Sequence, residues 1–323
     1  MADSSTEIPT IKRRWLIAVY AVIPLVASIV LLDMLVLGQA LQPYLTAQAL
    51  YFPLFLLLFE LPHIIASLTT FADREYLRFY RRHILTILPV KFLLFAVVFW
   101  YSTTYALILF GIYTMYHTVR QQTGIALTMI KRRDTMHEVW TWLAVLSSAL
   151  GYLIILSPSL VLQPGTLVQM NIAFGIVVIP FLLASFAMIV RTEAGQARWY
   201  VTAVSVSALL SFVLIRLDYL FLAVFVLRFV HDITAFVVYT QHDRSRQQHG
   251  GNNFIYRSIA KFGLPTLIAT PLIAIVVAYL IRIETAALPA SFLIIMLLSV
   301  AHYSLEGVMW KRSSIHRAQL RFE

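Results

Sequence analysis

Apolar residues run through this chain in long blocks, not at the alternating spacing of a half-buried strand. Ten blocks come close to the roughly 20 residues that an α-helix needs to cross a bilayer. They cover 15–38, 44–72, 84–102, 104–130, 139–158, 168–191, 199–217, 219–242, 264–282 and 288–310. Only Ser102-Thr103-Thr104 separates the third block from the fourth, and only Arg216-Leu217-Asp218 separates the seventh from the eighth. Merging one pair or both would leave nine or eight crossings. The pattern predicts an all-α, polytopic membrane bundle of about ten spans, with tails at 1–14 and 311–323 around one transmembrane domain at 15–310. No internal repeat, glycine-rich phosphate loop or soluble domain interrupts it.

The polar residues between the blocks orient the chain. Lys12-Arg13-Arg14, Arg74 to Arg82, Lys131-Arg132-Arg133, Arg191 to Arg198, Arg244 to Lys261 and Lys311 to Arg321 all fall on one side of a ten-span arrangement. The opposite loops, Gly38 to Pro43, Ser157 to Gly165 and Arg282 to Pro289, hold the single Arg282. Basic loops face the cytoplasm, so both termini are expected there. The formal net charge of +10 is thereby explained by topology, and no nucleic-acid partner is implied. No small-residue cleavage site closes a short apolar region near the N-terminus, so the first span reads as uncleaved. Asp73 to His83 mixes aromatic and basic residues at helical spacing, as a short interfacial helix does. Arg244 to Asn253, with Gly250-Gly251-Asn252-Asn253, reads as a mobile cytoplasmic connection.

A chain that is 60% hydrophobic and 12% charged makes each ionisable residue inside a span a candidate for function. Four spans carry a histidine: Glu60-Leu61-Pro62-His63, His117-Thr118-Val119-Arg120-Gln121, Arg228-Phe229-Val230-His231-Asp232, and His302-Tyr303-Ser304-Leu305-Glu306. In the ten-span reading all four helices run from the outside to the cytoplasm. Counting to Asp73, Lys131, Asp243 and Lys311 at 1.5 Å per residue sets the histidines about 13–21 Å from the cytoplasmic ends. In a hydrocarbon core of about 30 Å they share a depth near the midplane. Cys 0 excludes thiolate ligands, so a metal here must be held by nitrogen and oxygen.

Spacing brings carboxylates to the same faces. Glu60 precedes His63 by three residues and Glu306 follows His302 by four. Asp232 points about 100° away from His231 and is expected to support a ligand or the fold. Arg120 and Gln121 follow His117, and Arg228 precedes His231, where they could fix carboxylates or a polar substrate end. A lone intramembrane histidine often only hydrogen-bonds a neighbouring helix, but four at one depth beside carboxylates favour a shared metal site. His83, His137, His242, His249 and His316 fall in cytoplasmic or interfacial stretches. His242 shares a face with His231 but lies about 16 Å further along the helix, which gives it a solvated or headgroup role.

Imidazole and carboxylate donors without sulfur suit iron, zinc, copper or manganese. A mid-membrane metal is poorly placed for water-soluble substrates and well placed for oxygen chemistry on lipid-soluble ones, with iron the leading metal. On Pro62-His63, His117, His231-Asp232 and His302 as single histidines in apolar helices, the chain resembles the Brp/Blh group of bacterial and archaeal membrane β-carotene 15,15'-dioxygenases. That resemblance implies one iron held by intramembrane histidines, location in the plasma membrane of a bacterium or archaeon, and cleavage of an apolar polyene. The His-Gly motif of that group is absent, since Ile64, Thr118, Asp232 and Tyr303 follow the four histidines. The clustered histidine boxes of membrane desaturases and hydroxylases are also absent. A metal-ion transporter is the alternative from another class. The apolar stretches outward of the histidines weigh against it. A lipid-headgroup transferase using Arg120 and Arg228 is a third, without a paired-aspartate motif.

Overall fold

The computed structural model describes residues 10–48, 53–160, 163–249, 251–286, 291–311 and 313–323. Residues 1–9, 49–52, 161–162, 250, 287–290 and 312 lie outside the described residues. The chain is overwhelmingly helical. In order come α1 (Arg13–Ala18), α2 (Val22–Leu35), α3 (Pro53–Leu58), α4 (Leu61–Thr69), α5 (Arg74–Phe79), α6 (Leu88–Tyr101), α7 (Thr103–Ile130) and α8 (Thr135–Leu160). They are followed by α9 (Pro164–Arg191), α10 (Gln196–Arg216), α11 (Leu220–Gln248), α12 (Phe254–Ala260), α13 (Thr266–Ala286), α14 (Ser291–Met309) and α15 (Ile315–Ala318).

Eight helical stretches among the described residues are long and apolar enough to cross a membrane, which marks an integral membrane protein. Their outer faces carry large apolar side chains that water would not tolerate in such number, among them Leu183, Phe186, Val190 and Leu267. The two narrow gaps in the apolar pattern are real helix breaks. Ser102 leaves helical geometry at φ −162° and ψ 117°, and Asp218 takes φ +62° after α10.

The block at 44–72 is not one helix. It is broken at Glu60, whose φ of +77° and ψ of −84° no helix accommodates, and α4 starts afresh with Pro62 in its first turn. Proline fits there because the first N–H groups of a helix have no internal acceptor. The expected loop from Arg244 is also corrected, since α11 continues through it to Gln248. Its 29 residues extend about 43 Å, well beyond a hydrocarbon core of about 30 Å.

The chain divides into two compact units. One comprises residues 1–12, 53–102 and 232–323; the other comprises 13–52 and 103–231, so the division falls within α11 between His231 and Asp232.

In the first unit α4 packs against α13 and α14, and α14 also packs against α6. Ala66, Ala235, Ala274 and Ala278 are buried among Leu61, Ile65, Tyr239, Leu305 and Met309. Small residues let helix backbones approach where lipid supplies no hydrophobic drive to associate. Thr10–Ile11 and Arg321–Phe322 form a short parallel pair in this unit, so the two ends of the described chain are neighbours. The C-terminal tail is therefore ordered, with α15 capped by Ser314, whose Oγ accepts the Arg317 N–H at 3.0 Å.

The second unit packs α8 against α7 and α9, with α10 against α7, α8 and α9. Gln122 on α7 accepts the hydroxyls of Tyr20 and Tyr200 at 2.8 and 2.7 Å. Asp33 at the end of α2 accepts from Tyr219 at 2.7 Å and from the Leu41 N–H at 2.9 Å. These buried bonds satisfy groups that would each carry a desolvation penalty in an apolar interior.

Candidate metal centre

In the first unit, α4 presents His63 and α14 presents His302, both fully buried. Their rings meet edge to face, with centroids 4.9 Å apart and an interplanar angle of 80°. Nitrogen atoms of the two rings come within 4.8 Å of each other. An oxygen stands beside Nδ1 of each ring. Asp232 Oδ1 lies 3.2 Å from His63 Nδ1, and Ser67 Oγ lies 2.5 Å from His302 Nδ1.

The Ser67 contact bears on the tautomer of His302. Ser67 Oγ lies 2.7 Å from the Ile64 carbonyl oxygen, and with its proton there its oxygen accepts from His302 Nδ1–H. The carboxylate beside His63 favours a proton on Nδ1 in the same way. Both rings then carry their lone pair on Nε2, the state in which imidazole binds a metal.

Glu306 lies one turn beyond His302 on α14, buried, with a carboxylate oxygen within 4.8 Å of a ring nitrogen of His302. Tyr239 donates its hydroxyl to Glu306 Oε1. Buried histidine and glutamate side chains thus stand in groups that could bind a metal.

The helix-face argument for Glu60 fails. The break at Glu60 turns its side chain out of the α4 face, and its carboxylate pairs with Arg282 on α13 at 2.9 Å. Its backbone N–H donates to Asp232 Oδ2 at 3.0 Å. Glu60 therefore reaches His63 through Asp232, one of whose oxygens it holds while the other faces the imidazole.

In the second unit, His117 on α7 and His231 on α11 form a similar pair, with centroids 5.0 Å apart at 86°. Both rings are buried. Arg228 lies buried one turn before His231 on the same helix. Arg120 is not beside His117's ring but pairs with Glu138 of α8 at 3.4 Å, with both side chains about one-third exposed. Gln121 is buried and accepts from Gln122 Nε2 at 3.0 Å. A space of about 20 Å³ in this unit, lined by Met115, Gly151 and Phe174, has room for about one water.

Apart from the exposed His249, the remaining histidines are less solvated than their sequence positions imply. His242 is buried, with Nε2 2.5 Å from Tyr76 Oη and Nδ1 3.0 Å from Asp243 Oδ1. His137 and His316 are also buried, and His83 Nε2 lies 3.0 Å from Ser304 Oγ. Three contributors escaped the sequence reading: Ser67, Tyr239 and Arg282. Ser67 had a usable signal, since it follows His63 by four residues on the same helix. Arg282 had a weaker one as the lone basic residue among the outer loops.

Comparison of the chain with protein-family models, with curated proteins and with solved structures returned no match.

Proposed function

We propose that the chain is a membrane-embedded, metal-dependent oxygenase whose metal is iron and whose substrate is a lipid-soluble molecule. The observation that carries this reading is the His63–His302 pair with an oxygen set against each Nδ1. The donor set fits a metal ion: neutral nitrogen ligands, a carboxylate within reach and no competing thiolate. His117 and His231, the buried pair of the second unit, are also assigned as metal ligands in this reading, and in the first unit Glu306 offsets the charge of a divalent ion in a low-dielectric interior. Iron held by imidazole and carboxylate supplies dioxygen chemistry.

The protein's own groups have separable tasks. Asp232 keeps the proton of His63 on Nδ1, and Ser67 does the same for His302. Tyr239 donates to Glu306 and orients it. Burial of the rings excludes water, and the lipid-facing helices give an apolar substrate a route that never leaves the bilayer. The resemblance noted above makes β-carotene, cleaved to retinal, the first substrate to try.

The same reading gives ten crossings with both termini in the cytoplasm. The eight long apolar helices supply eight of them, α7 a ninth and the broken α3–α4 segment a tenth. The pairing of residues 10–11 with 321–322 supports ends on one side, and the basic loops support the cytoplasm as that side. The membrane is then the plasma membrane of a bacterium or archaeon.

The test is metal analysis of detergent-purified protein, with iron, zinc, copper and manganese measured together, on the parent and on Ala variants at the four histidines. Each variant is expected to lose most of the metal while keeping its helical circular dichroism. Retention of metal in two or more of them sinks the ligand assignment. Expression in a carotene-accumulating host is expected to bleach the cells and yield retinal; unchanged pigment with metal-loaded protein redirects the search to other lipids.

A second reading, metal-ion transport, is favoured by the break at Glu60, because spans unwound beside acidic residues recur at ion sites in transporters. Metal uptake into proteoliposomes, absent in a Glu60→Gln variant, would select it over the oxygenase.

A further inference from the structure

Arg282 departs from the charge pattern that orients the chain, being the single basic residue among the outer loops of the ten-span arrangement. A basic residue there runs against the bias toward cytoplasmic loops, so its presence calls for a local reason. The first unit supplies one. α13 packs against both α3 and α4, and Arg282, near the end of α13, pairs with Glu60 at 2.9 Å, at the break between those two helices.

From that pair a series of contacts leads to a candidate ligand. Glu60 holds φ +77° and ψ −84°, and its N–H donates to Asp232 Oδ2 at 3.0 Å. The other oxygen of that carboxylate, Oδ1, lies 3.2 Å from His63 Nδ1. The side chains of Glu60 and Arg282 are 29% and 28% exposed, whereas His63 and Asp232 are fully buried. The series therefore runs inward from partly exposed groups to a buried imidazole in three contacts.

An ion pair between partly exposed groups contributes little to stability by itself. Its consequence here lies in the peptide that it holds. A left-handed backbone at a residue with a side chain persists only where the surroundings over-determine it, and such residues gather at functional sites. At Glu60 the guanidinium holds the side chain and the Asp232 carboxylate holds the N–H. His63 follows in the first turn of α4, joined to the break through Pro62, whose ring fixes φ. A Glu60 peptide free to relax would thus let both the start of α4 and the Asp232 carboxylate shift against the His63 ring.

We infer that Arg282 is a positioning residue for His63. By fixing the Glu60 carboxylate it keeps the Glu60 N–H on Asp232 Oδ2, and Asp232 Oδ1 then orients the imidazole with its proton on Nδ1 and its lone pair on Nε2. The inference rests on the reading of His63 as a metal ligand. Carboxylate partners of ligating histidines fix the orientation and tautomer of the ring. Arg282 acts on that partner through Glu60.

Two measurements test this, and one of them needs no metal. In competition with a chromophoric chelator, the zinc affinity of Arg282→Gln is expected to fall about three- to tenfold, less than the roughly 10–100-fold typical when a direct partner of a ligating histidine is lost. In metal-free protein carrying isotope-labelled histidine, nitrogen NMR reads the tautomer of His63, whose signal is assigned by its absence in His63→Gln. The parent is expected to show the Nδ1–H form, and Arg282→Gln a mixture of both tautomers. Exchanging the charges, Glu60→Arg with Arg282→Glu, restores the pair and should return both readouts to those of the parent. A residue that only stabilised the fold would lower the melting temperature of Arg282→Gln without altering the His63 signal. The inference is overturned if Arg282→Gln keeps the parent's tautomer, or if the charge-exchanged variant, folded by circular dichroism, keeps the mixture. A parent that binds no zinc defeats the metal reading, and the tautomer measurement still decides the role of Arg282.

Discussion

Ser67 shows how one hydroxyl can set the chemistry of a ligand. With its proton on the Ile64 carbonyl, its oxygen accepts from His302 Nδ1. Ser67→Ala leaves that N–H without its oxygen and frees the ring to rotate or change tautomer. Loss of a partner that orients a ligating histidine typically costs about 10–100-fold in metal affinity. Competition with a chelator should show this loss in Ser67→Ala and its recovery in Ser67→Thr. Asp73 carries the pH dependence at this scale. Burial raises its pKa, but the Arg246 hydrogen bond, the Glu75 N–H, the Arg246 charge and the Asn252 N–H outweigh that and hold it below 3.8. A folded-state pKa below the unfolded one stabilises fully above the ordinary carboxylate value, and that stability is lost as pH falls through the lowered value. The melting-temperature gap between parent and Asp73→Asn should therefore be largest at neutral pH and shrink below about pH 4.

At the scale of elements, the break between α3 and α4 is the feature that departs most from a simple spanning helix. Glu60 holds φ +77°, a conformation that a side chain makes costly and glycine adopts freely. The cost is sustained by two long-range contacts, the Arg282 ion pair and the N–H bond to Asp232. Glu60→Gly and Glu60→Ala both lose the ion pair, but only alanine keeps the strain, which is of order 1–3 kcal/mol. The glycine variant should melt higher than the alanine variant; equal melting would mean that the turn relaxes freely. Pro180 within α9 and Pro271 within α13 each remove a helix hydrogen bond. Membrane helices accept such losses because neighbouring groups satisfy the freed carbonyls.

For the molecule as a whole, the pairing of Thr10–Ile11 with Arg321–Phe322 offers a direct check, because the chain has no cysteine. A Thr10→Cys, Arg321→Cys double variant should form an intramolecular disulfide under mild oxidation, read as a mobility shift that reductant reverses. Reporter fusions after Arg14 and after Lys311 should both read cytoplasmic. Failure to cross-link would remove the structural argument for ends on one side, while an external signal from either fusion would overturn the orientation itself.

Much of this protein could be read without tertiary structure, because the relevant physics is local. Apolar run length decides which segments can span lipid, and the same periodicity places Glu306 and Ser67 one turn from a histidine. The breaks at Ser102 and Leu217-Asp218 were legible as polar interruptions, and the absence of cysteine limited any metal to nitrogen and oxygen donors. The break at Glu60 was hidden, since Phe59-Glu60-Leu61-Pro62 is nearly as apolar as its surroundings and its turn is held by residues on α11 and α13. The same holds for the choice of partners. Ser67 meets His302 across 235 positions, Glu60 meets Arg282 across 222, and Tyr76 meets His242 across 166. No periodicity encodes such pairs; they follow from which helix faces pack together. Packing also buried His242, whose place at the polar end of a span suggested solvent. Local sequence thus determined where the helices and candidate ligands are, and the tertiary structure decided which of them touch, because a side chain's partner is set by neighbouring helices and not by its own.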